Sequence, residues 1–124
     1  MKLRLRENSI RLRLLQTEVR RLTETGFVAE TITFGKSQSF VYRLQISDEA
    51  KEISADFQNG EITIEIPRNI VDKWINTGRV GLQTEQEFGG DKPLSILIEK
   101  DFVCVERPGD TDNADAFPHP KMTC

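Results

Sequence analysis

The sequence contains few of the residues from which disulfide, metal and cofactor sites are usually built. Only two cysteines are present, one of them the last residue, together with a single histidine, His119. Two cysteines give no disulfide framework, so a reducing compartment is expected. His119 has no recognised ligand spacing with Cys104 and Cys124, so the sequence predicts neither a metal site nor a cofactor.

Long apolar runs and phosphate-binding glycine loops are absent as well. No run approaches the length of a membrane span, and the chain starts with a charged, strand-like segment rather than a signal peptide, so no membrane association is expected. Gly89-Gly90 falls between two predicted strands and not at the start of a helix. Since no motif specifies a nucleophile, the sequence assigns no catalytic residue and leaves open whether the protein is an enzyme.

What the chain does contain is an ordinary globular composition with an uneven distribution of charge. Its 124 residues are 37% hydrophobic and 30% charged, which suits one domain with a modest core. The net charge of -3 argues against a generic nucleic-acid-binding protein. Residues 1–46 nevertheless carry nine basic and four acidic side chains, whereas residues 47–124 carry eight and sixteen. A basic first part and an acidic remainder therefore share one small chain.

The first half predicts a hairpin, a helix and two further strands. Apolar residues alternate with basic ones on both sides of Glu7-Asn8, and a two-residue loop there pairs Leu5 with Ile10 and Leu3 with Leu12 on one face. Glu7 is an unfavourable residue for a turn that needs a positive φ. A short amphipathic helix follows, with Thr17 as its N-cap and Gly26 as its end, and strands are expected over 27–34 and 40–46.

The second half predicts the same order of elements. Alternating residues lead into Asn59-Gly60, a strong hairpin signal, which pairs Phe57 with Ile62. A helix from Pro67 or Asn69 to Gly78 and strands over 80–87 and 94–105 follow. When the sequence is aligned with itself at an offset of 52 residues, the apolar positions, helix caps and helix ends coincide without a gap. This favours an internal duplication over two units that merely share a period.

These patterns predict an α+β fold. We expect two strand–strand–helix–strand–strand units, residues 1–50 and 51–105, to form one curved or barrel-like antiparallel sheet with both helices on one side. Residues 106–124 are rich in Asp, Pro and small residues without a period, which predicts an extended tail, docked by Phe117 and the Pro118-His119-Pro120 segment.

The most distinctive chemical feature is the polar face of the first hairpin. In the predicted register Arg4 lies across from Arg11 and Lys2 across from Arg13, with Arg6 on the same face. Like charges at such positions destabilise a hairpin unless an anion lies between them, and guanidinium groups suit phosphate or carboxylate. Two other interpretations remain open. The basic side chains are simply solvated, or they are neutralised by the hairpin around Asn59-Gly60, called the second hairpin, which presents Glu52, Asp56, Glu61 and Glu65.

Lys100 is a further candidate for the anion site. On a continuous strand it lies on the same side as Ile96, Ile98 and Phe102. A lysine among apolar residues has a depressed pKa or a carboxylate partner, and either can mark a site. The alternative is a bend at Lys100-Asp101 that turns the ammonium group to solvent.

Three stretches of the chain resemble a small family of uncharacterised bacterial proteins of similar length. They are MKLRLRENSIRLRL at the start, the helix TEVRRLTETG, and IEKDFVCVERPGD with DAFPHP at the end. The resemblance runs nearly end to end and implies a bacterial, cytoplasmic protein without an established activity or site.

The predicted architecture is also similar in plan to the triphosphate tunnel hydrolases. Those enzymes carry alternating Glu and Lys on their first strand, whereas this strand reads Lys2-Leu3-Arg4-Leu5-Arg6 without acidic metal ligands. Here only Glu61, Glu65 and Glu99 are available as suppliers of such ligands. A shared plan does not transfer a function.

Two functional hypotheses follow. The leading one is a small non-enzymatic binding or structural domain of unknown partner and oligomeric state. The alternative is a protein that binds phosphate or polyphosphate, or a phosphohydrolase-like enzyme, with a phosphorylated or carboxylate ligand held by Arg4, Arg6, Arg11, Arg13, Lys2 and Lys100.

Overall fold

A computed structural model describes residues 1–102 and 115–118 of the chain. Eight strands and two helices follow one another in these ranges, as the sequence predicts. In chain order they are β1 (Lys2–Arg6), β2 (Ser9–Leu14), α1 (Gln16–Thr25), β3 (Phe27–Gly35), β4 (Gln38–Ser47), β5 (Ser54–Gln58), β6 (Glu61–Pro67), α2 (Arg68–Ile75), β7 (Gly81–Gln86) and β8 (Leu94–Lys100).

The strands form two separate four-stranded sheets, so the predicted single barrel-like sheet is wrong. Sheet A has the order β1-β2-β8-β7, and sheet B has the order β3-β4-β6-β5. Each helix connects a strand of one sheet to a strand of the other, so every sheet receives one hairpin from each half of the chain. The prediction of an antiparallel sheet is also wrong, because the two hairpins of each sheet join in parallel, β2 with β8 and β4 with β6.

One hydrophobic core lies between the two sheets and the helices. Leu12 and Ile98 from sheet A and Leu44 and Ile64 from sheet B are all buried in the same cluster. Trp74 of α2 is fully buried there, and its indole Nε1 donates to the Val80 carbonyl at 3.1 Å. Both helices pack against strands of sheet B, α1 against β3 and β4, and α2 against β4 and β6. Because one face of each sheet is buried in this shared core, the polar faces of the two sheets point away from each other.

The tight loop between β1 and β2 forms as predicted, in spite of its unfavourable residue. Glu7 adopts a φ of 51°, and Asn59 at the matching loop between β5 and β6 adopts 52°. A non-glycine residue tolerates this left-handed conformation at a modest cost in energy. The alternating apolar residues on both sides determine the register and hold Glu7 in place.

Helix α1 begins earlier than the sequence predicts, and Thr17 is not its N-cap. Leu15 occupies that position, and its backbone N–H donates to the Glu18 carboxylate at 2.8 Å. The carboxylate of Asp115 accepts a hydrogen bond from the Thr17 N–H at 3.1 Å. An acceptor from a distant segment thus replaces the predicted local cap. Gly26 ends the helix with a φ of 90°, as expected.

Two other boundaries differ from the prediction. Helix α2 ends at Ile75, before Gly78, and β8 ends at Lys100. Of the predicted tail, residues 115–118 are described: the Phe117 N–H donates to the Asp101 carbonyl at 2.7 Å, and the Phe117 ring meets that of Phe102 edge to face. His119, Pro120 and residues 103–114 lie outside the described ranges.

Candidate anion-binding site

The first hairpin adopts the register that the sequence predicts. Arg4 pairs with Arg11 and Lys2 with Arg13, while the apolar pairs Leu3–Leu12 and Leu5–Ile10 lie on the other side of the sheet. Because strand residues alternate between faces, the basic side chains share the outer surface of sheet A. This surface is called the basic face, and it consists of Lys2, Arg4, Arg6, Arg11 and Arg13.

One end of the basic face is neutralised by Asp101. This residue follows β8 and is only 4% exposed. Its Oδ2 lies 2.9 Å from Lys2 Nζ, and its Oδ1 lies 3.7 Å from an amino nitrogen of Arg13. A buried carboxylate needs such partners, because burial without them is costly. Asp101 and its two cations therefore form a structural ion-pair cluster.

Arg11 has a separate carboxylate partner. Its Nε lies 2.5 Å from Oε1 of Glu99, one strand away on β8. Glu99 is next to Arg13 in the parallel ladder between β2 and β8. The interaction therefore depends on the joining of the two halves of the chain in sheet A.

Arg4 and Arg6 differ from the other three cations. Within residues 1–102 and 115–118, neither guanidinium group has an ion pair or a hydrogen bond. Both are exposed and both border a depression of about 230 Å³ on the outer surface of sheet A. Its lining also includes Arg11, Ser9, Ser95, Gln83, Leu97 and Ile10.

No carboxylate among residues 1–102 and 115–118 lines this depression. Three arginines stand on one side, and hydroxyl and amide groups stand on the other, with Leu97 between them in the ladder. Guanidinium groups bind phosphate or carboxylate through paired N–H donors, and neutral polar groups supply further hydrogen bonds. The arrangement can therefore hold an oxyanion at the protein surface.

Lys100 does not belong to the basic face. On β8, Ile96, Ile98 and Lys100 point inward, while Glu99 points outward toward Arg11. Lys100 is 9% exposed, its Nζ donates to the Thr77 carbonyl at 3.1 Å, and the same nitrogen lies 5.4 Å from the centre of the Phe117 ring. Burial lowers the pKa of Lys100 below its ordinary value of 10.5. The predicted bend that exposes the ammonium group is wrong.

The second hairpin does not neutralise the basic face, and that interpretation of the sequence is wrong. Asp56, Glu61 and Glu65 lie on β5 and β6 of sheet B, and Glu61 pairs with Arg43 of the same sheet at 3.0 Å. The reason is topological: the two hairpins belong to different sheets, which share a core and turn their polar faces outward. Glu99 and Asp101 of sheet A supply the partners instead.

Sequence reasoning missed the contributions of β7 and β8 to this surface. Ser95, Leu97 and Glu99 alternate with buried isoleucines, so the pattern places them on an outer face. It does not show that β8 lies beside β2, because hydrophobic periodicity says which side of a strand is buried and not which strand is its neighbour. No pattern in the sequence marks Gln83 as part of this surface.

No group of three or more His, Cys, Asp or Glu side chains in residues 1–102 and 115–118 is placed to hold a metal ion. None of the helices in the same ranges is long and apolar enough to cross a membrane.

The fold and the site define a small α+β protein of two mixed sheets, one of which carries a surface rich in arginine. The chain belongs to the family of unknown function DUF7009, which it matches over residues 1–121. The predicted resemblance to an uncharacterised family is thereby confirmed. No curated protein and no solved structure matches the chain.

Proposed function

We propose that this protein is a small, non-enzymatic binding domain whose basic face holds a phosphate or carboxylate group of its ligand. The observation that carries the proposal is the direct pairing of Arg4 with Arg11 on a surface where Arg4 and Arg6 have no carboxylate partner among the described residues. Like charges at paired strand positions repel each other, so an oxyanion between them is favoured. The expected ligand is therefore one that carries this group.

The alternative of a phosphohydrolase has less support. It needs carboxylates beside the arginines that can hold a metal ion. Glu61 and Glu65 lie on sheet B, and Glu99 on sheet A is already paired with Arg11. Glu85 is also on sheet A, but it lies on the edge strand β7 and does not line the depression. The geometry supports binding of an anion more directly than a reaction at it.

The internal duplication and the cellular location also stay proposals. The two halves have the same order of elements, and β2 joins β8 as β6 joins β4, which supports a duplicated unit. A bacterial, cytoplasmic protein is what the resemblance implies.

A thermal-shift panel tests the binding proposal. The wild-type protein at low salt is heated with phosphate, pyrophosphate, ATP, polyphosphate or citrate, with and without magnesium, and with sodium chloride at matched ionic strength. A ligand of the native state raises the free energy of unfolding by mass action, by about 2.7 kcal/mol at a hundredfold excess over its Kd, and the melting temperature rises with it. We expect at least one multivalent anion to give a rise that chloride does not give.

Variants identify where the anion binds. The double variant Arg4→Gln/Arg6→Gln removes the two arginines of the basic face that have no carboxylate partner in the described part of the chain. Arg20→Gln/Arg21→Gln removes the same charge from the exposed side of α1. The first is expected to lose the anion-induced rise, and the second to keep it. If no anion stabilises the wild-type protein, or if both variants respond as the wild type does, the proposal is wrong.

A further inference from the structure

A second group of cations lies at the edge of sheet A, next to the basic face. Strand β7 is the last strand of this sheet, and a depression of about 250 Å³ is lined by it, by helix α2 and by residues 51–53. The lining includes Lys51, Lys73 in the last turn of α2, and Arg79, which precedes β7. All three side chains are exposed. This cavity is called the edge depression.

The fold does not use the cations of the edge depression in ion pairs. Among residues 1–102 and 115–118, none of the three has a carboxylate partner. The Arg79 Nε donates to the Gly81 carbonyl at 3.2 Å, which holds the guanidinium group beside β7. Glu52 supplies the only negative charge in the described lining, against three positive charges. The edge depression therefore attracts anions, as the basic face does.

Gln83 connects the two depressions, because it lines both of them. One row of paired residues crosses the outer surface of sheet A from β1 to β7, and it consists of Arg4, Arg11, Leu97 and Gln83. Neighbouring strands lie about 4.8 Å apart, so the row is about 14 Å long. A single phosphate group cannot contact both ends of this row, whereas a chain of phosphates can.

Two carboxylates lie beside this row. Glu99 is already paired with Arg11. Glu85 is exposed two residues after Gln83 on β7, so it lies on the same side of the strand. Its negative charge weakens the binding of an anion that is held near Gln83 alone. An anion on this path therefore depends on the cations at both ends, those of the basic face and those of the edge depression.

We propose that the ligand of the basic face is a linear polyanion with closely spaced phosphate groups, which continues past Gln83 into the edge depression. This inference rests on the proposed function, because the basic face holds the first part of the ligand. Guanidinium and ammonium groups both bind phosphate oxygens. Once the first part is bound, the edge depression meets the rest of the same ligand at a high effective concentration. The two depressions together therefore bind more tightly than either one alone.

The lining favours a polyphosphate over a single-stranded nucleic acid. No aromatic side chain in the described part of the protein lines either depression. Proteins that bind single strands combine a positively charged groove with aromatic rings on which the bases stack. Bases find no such ring on this path, whereas a polyphosphate needs only cations and hydrogen-bond donors.

Isothermal titration calorimetry with the full chain at constant ionic strength tests the proposal. The ligands are tripolyphosphate, a size-fractionated long-chain polyphosphate and a single-stranded oligonucleotide of mixed sequence. We expect the long-chain polyphosphate to bind about tenfold more tightly than tripolyphosphate, or better, because it engages both depressions. The oligonucleotide is expected to bind more weakly than the long-chain polyphosphate.

A triple variant locates the second part of the site. Lys51→Gln/Lys73→Gln/Arg79→Gln is expected to weaken the binding of the long-chain polyphosphate by about tenfold or more and to leave tripolyphosphate on the basic face at its wild-type affinity. Lys51→Glu/Lys73→Glu keeps the hydrogen bond from Arg79 to Gly81 and is expected to weaken the long-chain polyphosphate as well. Circular dichroism confirms the fold of each variant.

The matched control removes the same charge from exposed positions elsewhere. Arg20→Gln/Arg21→Gln/Lys36→Gln is expected to keep the wild-type affinity for both phosphate ligands. If this control weakens the long-chain polyphosphate as much as the triple variant of the edge depression does, net charge and not the edge depression determines the affinity, and the proposal is wrong.

The remaining outcomes separate this inference from the proposed function. If tripolyphosphate binds but the long-chain polyphosphate gains nothing, or if the triple variant binds it as the wild type does, the basic face keeps its function and the extension into the edge depression is wrong. If neither phosphate ligand binds the wild-type protein, the inference fails, and the other anions of the thermal-shift panel then decide the proposed function. An oligonucleotide that binds as tightly as the long-chain polyphosphate overturns the assigned class of ligand.

Discussion

Asp115 caps the first turn of helix α1 from a position 98 residues farther along the chain than Thr17. Its Oδ1 accepts a hydrogen bond from the Thr17 N–H at 3.1 Å, and its Oδ2 accepts one from the Thr17 hydroxyl at 2.5 Å. The side chain of Gln16 donates to the Ala116 carbonyl at 3.0 Å. A short segment near the C-terminus thus completes a helix near the N-terminus and satisfies donors that the helix itself leaves free.

Asp115→Ala is expected to lower the free energy of unfolding by about 1 kcal/mol, the usual cost of a lost helix cap. Asp91→Ala removes the same charge from an exposed loop and is expected to have little effect. Urea unfolding, followed by the fluorescence of the single Trp74, measures both. Equal stabilities of the two variants would show that the cap contributes nothing.

Glu18→Gln is expected to destabilise the protein by about 1–3 kcal/mol, because it removes one of the two carboxylates that pair with a buried ammonium group. Glu18 is 7% exposed and forms an ion pair with the ammonium group of Met1, which is also 3.3 Å from Oε1 of Glu30. Glu24→Gln, on the exposed side of α1, is the matched control. The same urea titration measures the free energy of unfolding of both variants. A loss of stability in Glu18→Gln that is no larger than the loss in Glu24→Gln contradicts the prediction.

The hydroxyl of Tyr42 is expected to ionise above its ordinary pKa of 10.0. Burial raises the pKa of Tyr42, and the carboxylates of Glu30 and Glu18 raise it further. Because Tyr42 is the only tyrosine, the phenolate absorbance in the ultraviolet reports it alone. The folded state binds this proton more tightly than the unfolded state, so the associated stability is complete below pH 10.0 and is lost as the pH rises through the folded pKa.

Two variants separate the causes of this shift. Glu30→Gln removes a negative charge near the phenol and is expected to bring the midpoint closer to 10.0. Glu85→Gln, on β7, serves as the control and is expected to leave it in place. A midpoint at or below 10.0 in the folded wild-type protein would be the opposite of what the burial of Tyr42 requires.

Lys100→Met is expected to be as stable as the wild type or more stable at neutral pH, since replacing a buried charge by an apolar side chain of similar length is often neutral or favourable. Burial lowers the pKa of Lys100, so the unfolded wild-type chain binds the extra proton between the folded pKa and 10.5. The free energy of unfolding of the wild-type protein therefore increases with pH between the folded pKa of Lys100 and 10.5.

The measurement is the difference in unfolding free energy between wild type and Lys100→Met at several pH values. Any advantage of the variant is expected to shrink as the pH approaches 10.5. Lys51→Met, at an exposed position, controls for the loss of one positive charge. An advantage that does not vary with pH would mean that the buried ammonium group is not the cause.

The candidate site could be predicted only in part. The phase of Leu3, Leu5, Ile10 and Leu12 placed the cations of the first hairpin on one surface, and the structure has the same pairs. Lys100 was assigned to that surface wrongly, although its alternation with Ile96 and Ile98 correctly indicated an apolar environment. The sequence cannot predict that Glu99 and Asp101 are the ion-pair partners of the basic face, because these pairs depend on contacts between the two halves of the chain.

The sequence by itself therefore determined the elements, the hairpin registers and which side of each strand is buried, because alternation, turn residues and helix ends are local and act within a few residues. The tertiary structure alone decided that β2 lies parallel to β8, that two sheets form instead of one, and that Asp115 caps a helix far from it in sequence. Those choices depend on how preformed apolar faces pack together, and several arrangements bury the same side chains. The tertiary structure also decides the effect of the uneven charge. The basic first hairpin and the acidic second hairpin lie on different sheets and face away from each other, so they do not neutralise each other.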